Sequence, residues 1–99
     1  MEVDFDDESC RRLEADLNYD AGFGSEVVKA FRKRLQLIRA AADERDFYAL
    51  KSLHFEKLKG GREGQYSMRL NAQWRLILRL VKRAGDKKVV VIVSITGYH

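Results

Sequence analysis

From Tyr66 to Val81, apolar and polar positions alternate, the period of strands with one face on a core and one in water. In QYSMRL, Tyr66, Met68 and Leu70 share one side, and Ser67 and Arg69 share the other. In WRLILRLV, Trp74, Leu76, Leu78 and Leu80 point to the core, while Arg75, Ile77, Arg79 and Val81 point out. Asn71-Ala72-Gln73 turns the chain between these strands, and KRAGDKK forms a hairpin loop with Gly85-Asp86 at its tip. The run from Val89 to Thr96 is apolar on both faces, which predicts an inner strand covered on both sides.

Upstream the period changes. Val28, Phe31, Leu35, Ile38 and Ala42 recur at intervals of three and four, which predicts an amphipathic helix capped by Ser25. Lys29, Arg32, Lys33 and Arg39 form its opposite, solvated face. A shorter helix begins after Asp6 or Asp7 and carries Cys10, Leu13 and Leu17 as its stripe, until Asn18, Gly22 and Gly24 break the pattern. EVDF alternates as a short first strand would, and DERDFYALKSL adds a helical turn. Helices first and a meander afterwards give an α+β domain over residues 1–99, two N-terminal helices on an antiparallel sheet of three or four strands.

Composition narrows the classes. Ninety-nine residues, 45% hydrophobic and 34% charged, suit one globular core. No segment reaches the length of a membrane span, and the acidic opening MEVDFDDE does not read as a signal peptide. A single cysteine, Cys10, excludes an internal disulfide and a cysteine-cluster zinc site, and suits a reducing, cytoplasmic setting. The net charge of +4 hides an asymmetry: the first twenty residues hold eight acids and two bases, the rest seventeen bases and seven acids. A basic body fits a polyanion partner such as nucleic acid. The acidic head is expected either to lie away from an RNA cleft or to meet a basic partner segment.

Register then concentrates the charge. Arg69, Arg75 and Arg79 fall on the polar faces of neighbouring strands, and the preceding loop adds Lys57, Lys59 and Arg62. Guanidinium forks match paired phosphate oxygens, although each arginine alone reads equally well as protection of a wet strand face. The two histidines, His54 and His99, change the weighting, because His99 follows Tyr98 directly after the apolar strand. Two imidazoles, a phenol and several guanidiniums are an inventory for RNA cleavage. That reaction needs a base for the ribose 2′-hydroxyl, cations for the charged phosphorus centre and an acid for the departing 5′-oxygen, and no metal or cofactor is required. LKGGREG lacks the spacing of a nucleotide-binding loop, Ser52 and Ser67 have no triad context, and Cys10 reads as core.

The motifs Leu53-His54, Leu58-Lys59-Gly60-Gly61-Arg62, Ser67-Met68-Arg69, Asn71-Ala72-Gln73-Trp74-Arg75 and Tyr98-His99 occur in this order. Together they resemble the HigB branch of the RelE/ParE toxin superfamily, over about the C-terminal half of the chain. The resemblance implies a RelE-like fold and an endoribonuclease that cuts mRNA in the ribosomal A site without a cofactor. It also implies a helix-turn-helix (HigA-like) antitoxin partner in a hetero-oligomer. Carried across, the family roles give His99 proton transfer with His54 and Tyr98 assisting, and give Lys59, Arg62 and Arg75 the phosphate. Two departures stand out. Gly97 precedes Tyr98-His99 where relatives often carry an acid, and HFEKLKG is two residues longer than the shorter form, so Lys57 competes with Lys59. The same fold also admits a ParE-like poison of DNA gyrase acting by protein contact, or a non-catalytic RNA-binding module.

Overall fold

Residues 1–60 and 64–97 are described by the structure, a computed structural model. The alternating segments become strands β1 (Glu2–Phe5), β2 (Glu56–Lys57), β3 (Gln65–Arg69), β4 (Trp74–Arg83) and β5 (Lys87–Gly97). The 3.6-period segments become helices α1 (Glu8–Ala15), α2 (Ser25–Ala40) and the short α3 (Arg45–Ala49). Among the described residues the sheet has five strands, in the order β1-β5-β4-β3-β2. The α+β class stands, but the strand count exceeds the expected three or four, and the sheet is mixed: β1 runs parallel to β5. As expected, β5 is an inner strand, flanked by β1 and β4.

One face of the sheet packs on the helices. Cys10 and Leu13 of α1, Val28, Phe31, Leu35 and Ile38 of α2, and Phe47 of α3 meet Met68, Leu76, Leu78, Val90 and Ile92 in one buried cluster. Removal of each large side chain from water contributes about 1.5–3 kcal/mol, and this burial is what orients the elements. The Cys10 thiol is buried there and pushed up to about 12, by desolvation first and by nearby Asp7 second.

The helix ends correct three expectations. Asp7 caps α1, its carboxylate accepting from the Cys10 amide at 3.2 Å, but the helix stops at Ala15 and leaves Leu17 outside the stripe, 76% exposed. Gly24, not Ser25, is the N-cap of α2, and no side chain caps that end. Ala42 lies beyond the helix and is exposed, because the chain turns out of α2 at Ala41. The expected solvated face of α2 is partly structural. Arg32 donates to the carbonyls of Leu13, Asp16 and Tyr19, and Arg39 holds Glu14 at 2.6 and 2.8 Å, so two arginines tie α2 to α1.

A bulge in β5 decides what the open face carries. Val91 pairs with Arg79 and Ile92 with Leu78, but Ile77 pairs with Ser94, so Val93 is the extra residue. One inserted residue reverses the alternation. Ile95 is thereby turned to the core, while Ser94 and Thr96 join the face that carries Ile77 and Arg75.

That face is open to solvent at its arginines yet apolar beneath them. Ser67, Ile77, Val89 and Val91 are buried there, Ile77 to 3% exposure, outside the helix-packed cluster. In register, Val91 lies between Asp4 and Arg79, and Val89 between Glu2 and Val81. The acidic head therefore lies along the basic sheet face itself. It pairs with that face, in contacts from Asp6 to Arg79, from Asp4 to Arg83 and from Glu2 to Lys87.

Candidate active site

The hairpin that joins β3 to β4 sets the centre of the site. The Asn71 side-chain oxygen accepts from the amides of Gln73 and Trp74, both at 2.9 Å, which locks the tight turn read from the sequence. With the turn fixed, Arg69 and Arg75 become direct cross-strand partners. Their Cβ atoms then stand about 4.5–5.5 Å apart, and like charges so placed repel. Arg69 is steadied by donating from Nε to the Asn71 carbonyl at 3.2 Å. Its backbone is held from the helix layer, since Arg34 of α2 donates from Nε to the Arg69 carbonyl at 3.0 Å. Burial lowers the Arg34 guanidinium pKa from its ordinary value.

His54 completes the cluster. Nη1 of Arg69 lies 3.4 Å from Nε2 of His54. A guanidinium can only donate, so a hydrogen bond between the two has Nε2 as its acceptor. His54 closes a 3₁₀ turn, Lys51–Leu53, in the left-handed region with φ 45°. Few residues other than glycine adopt that backbone, and histidine is among those enriched in it.

The Arg75 side chain is 25% exposed. Its Nη1 approaches Ser67 Oγ at 3.5 Å and Glu56 Oε1 at 3.6 Å. Thr96 of β5 pairs opposite Arg75, and its hydroxyl lies 3.0 Å from that of Ser94. Gly97 pairs with Trp74, one position further on, so β5 carries the chain to this end of the sheet.

The expected site residues therefore divide. Arg69, Arg75 and His54 come together. Arg79 shares the face of Arg75 but lies four residues along β4, roughly 13 Å away, with Nη2 on Asp6 at 2.8 Å. Lys57 pairs opposite Tyr66, whose side chain packs on the helix-side core, so strand alternation directs Lys57 away from the face that carries Glu56 and Arg75. Lys59 is exposed just past β2. Arg62, Tyr98 and His99 lie outside the described residues. Glu56 is the group that sequence reading passed over: its carboxylate sits within the cationic cluster, and the two-residue pairing of β2 with β3 that brings it there leaves almost no periodic signal. Among the described residues no three His, Cys, Asp or Glu side chains converge as a metal site would need. Two surface clefts, of about 400 and 440 Å³, are lined by other residues, including Leu17, Tyr19 and Phe23 in the first and Met1, Ala42 and Lys87 in the second.

A helix layer on one face of a small mixed sheet, with histidine and paired arginines at the end of the other face, defines a RelE-like class. The chain belongs to the HigB-like toxin family, the RelE-like toxins of the type II toxin–antitoxin system HigB, which matches residues 3–92. Solved structures share its fold. It is similar to the YoeB/ParE toxin from Agrobacterium tumefaciens, at 20% identity with all of both chains covered and a TM-score of 0.63. It is likewise similar to the Staphylococcus aureus YoeB–YefM complex, at 20% identity over 100% of this chain and 97% of that one, with a TM-score of 0.60. YafQ from E. coli strain BL21(DE3) matches at 11% identity over 97% of this chain and 91% of its own, also with a TM-score of 0.60. No curated protein matches the chain.

Proposed function

We propose that this toxin is a metal-independent endoribonuclease that cleaves mRNA in the ribosomal A site. The observation that carries the reading is the convergence of Arg69, Arg75 and His54 at the end of the sheet to which β5 leads. The two opposed guanidiniums repel one another, the single carboxylate of Glu56 offsets part of that, and a phosphodiester is an anion both can bind. In the reaction the ribose 2′-oxygen forms a bond to the adjacent phosphorus while the bond from phosphorus to the 5′-oxygen breaks. The 2′-proton passes to a base, and an acid returns a proton to the leaving 5′-oxygen. The products are a 2′,3′-cyclic phosphate and a 5′-hydroxyl.

His99 is the proposed acid, with Tyr98 beside it. Glu56, 3.6 Å from Arg75, and His54, 3.4 Å from Arg69, are the groups available as base. Glu56 offers the carboxylate that is absent at Gly97. Arg69 and Arg75 carry the developing charge on phosphorus, and Lys59 and Arg62 hold flanking phosphates, a role from which the opposite-facing Lys57 is released. Membership of a type II toxin–antitoxin family makes an antitoxin the partner. A helix-turn-helix protein encoded alongside and bound in a hetero-oligomer is the specific proposal.

Inducible expression of His99→Ala and Arg75→Ala in growing cells tests the reading. Growth arrest and cleavage of ribosome-bound mRNA disappear in both, while circular dichroism shows a retained fold. Continued arrest by His99→Ala with inhibited DNA gyrase would overturn it in favour of a gyrase poison. A large fall in melting temperature for Arg75→Ala, with cleavage intact in the folded fraction, would remove Arg75 from the chemistry.

A further inference from the structure

The open face of the sheet carries two cationic groups, which differ in how many carboxylates they meet. At one end stand His54, Arg69 and Arg75, with Glu56. Along the rest of β4 and into β5 stand Arg79, Arg83 and Lys87, each already holding a carboxylate of the acidic head. Arg79 meets Asp6 at 2.8 Å, Arg83 meets Asp4 at 3.0 Å and Glu2 at 3.9 Å, and Lys87 meets Glu2 at 3.3 Å. We propose that Glu2, Asp4 and Asp6 stand in for phosphates on this part of the face, so that RNA is confined to the Arg69–Arg75 end. This rests on the RNA-cleaving reading above and adds to it where the substrate's path stops.

The placement follows from packing. Val3 and Phe5 pack against the core, and the alternation of β1 then forces Glu2 and Asp4 onto the open face. Parallel pairing with β5 sets them beside Val89 and Val91, within reach of the β4 arginines. The hydrogen bond from the Phe5 amide, and then the one from Arg83, lowers the pKa of the Asp4 carboxyl, so it stays charged at neutral pH. These ion pairs are substantially exposed, and exposed pairs add little to stability. Their effect on a polyanion is larger. RNA reaching Arg79 or Arg83 must displace a bound carboxylate and approach three negative charges. At the Arg69–Arg75 end, among the described residues, it meets two guanidiniums against the one carboxylate of Glu56. Without the acidic head, the arginines of β4 would offer phosphates a continuous track from Arg75 to Arg83, roughly 26 Å of strand.

The test is equilibrium binding of a labelled single-stranded RNA oligonucleotide to the full chain carrying His99→Ala, at several salt concentrations. E2Q/D4N/D6N preserves side-chain shape and removes the charges. It binds at least tenfold more tightly at low salt, and its salt slope is steeper by about 0.7 for each added phosphate contact. Adding Arg83→Ala removes part of that gain, whereas Arg83→Ala alone leaves affinity within twofold. D16N/D20N/E26Q, with the same change in net charge at residues outside these ion pairs, gives less than a third of the gain. If the triple variant melts early, Asp6→Asn alone serves, with one added contact in the slope. Unchanged affinity and slope in the folded variant, or an equal gain from the control, overturns the proposal. If Arg69→Ala/Arg75→Ala abolishes binding in that case, only the confinement fails; if it too leaves binding intact, the nuclease reading fails with it.

Discussion

Arg69 and Arg75 show how much one pair of residues constrains. Like charges in direct cross-strand register destabilise a sheet, so this pair is tolerated at a cost that an anion relieves. Glu56 supplies part of that relief. Glu56→Gln is expected to lower cleavage at least tenfold if its carboxylate transfers a proton. If it only screens Arg75, cleavage stays within about twofold; a single-turnover assay with pH profiles separates the two outcomes. At the opposite pole is Cys10, whose thiol is buried and pushed up to about 12. It should resist alkylation by iodoacetamide in the folded protein at pH 8 and react promptly in denaturant, as mass spectrometry would show. Rapid labelling of native protein would contradict its burial.

At the scale of elements, caps and the bulge do the shaping. The Asp7 carboxylate satisfies the Cys10 amide at the start of α1. Asp7→Ala should therefore cost about 1 kcal/mol in urea unfolding, with little change in the slope m. The extra residue Val93 has a larger role, because it alone puts Ser94 and Thr96 on the arginine face and Ile95 in the core. Deletion of Val93 would send Ile95 into solvent and the two hydroxyls into the apolar layer. Loss of cooperative unfolding, or of growth arrest with the fold retained, is expected; a fully active, equally stable deletion would show that the bulge has no role.

For the molecule as a whole, charge distribution sets the response to acid. Asp43 is held at about 2, chiefly by its hydrogen bond from Arg45. The Glu44 carboxyl is lowered by Lys88 first, and that of Asp4 by the Phe5 amide first. All three bind protons less readily folded than unfolded. Their stabilisation is therefore complete above the ordinary carboxylate range and is lost as pH falls through it toward about 2. Melting temperature should fall between about pH 4 and 2, and Asp43→Asn should flatten the lower part of that fall. An unchanged melting temperature down to pH 2 would contradict these pairings.

Sequence alone determined the helices, the three long strands and the outward arginines, because each rests on a local pattern: a period of 3.6 for Val28 through Ile38, of two for Tyr66 through Val81, and a run apolar on both faces from Val89. It also carried the family, through motifs compact enough to read in order. Only tertiary structure decided the rest, because the rest depends on contacts between distant residues. The parallel seat of β1, the pairing of its acids with β4, the bulge at Val93 and the entry of Glu56 beside Arg75 all arise from strand partners that no local pattern names. Periodicity reports which way a side chain faces; what it faces is fixed by packing the apolar sides together, and that is a property of the whole chain.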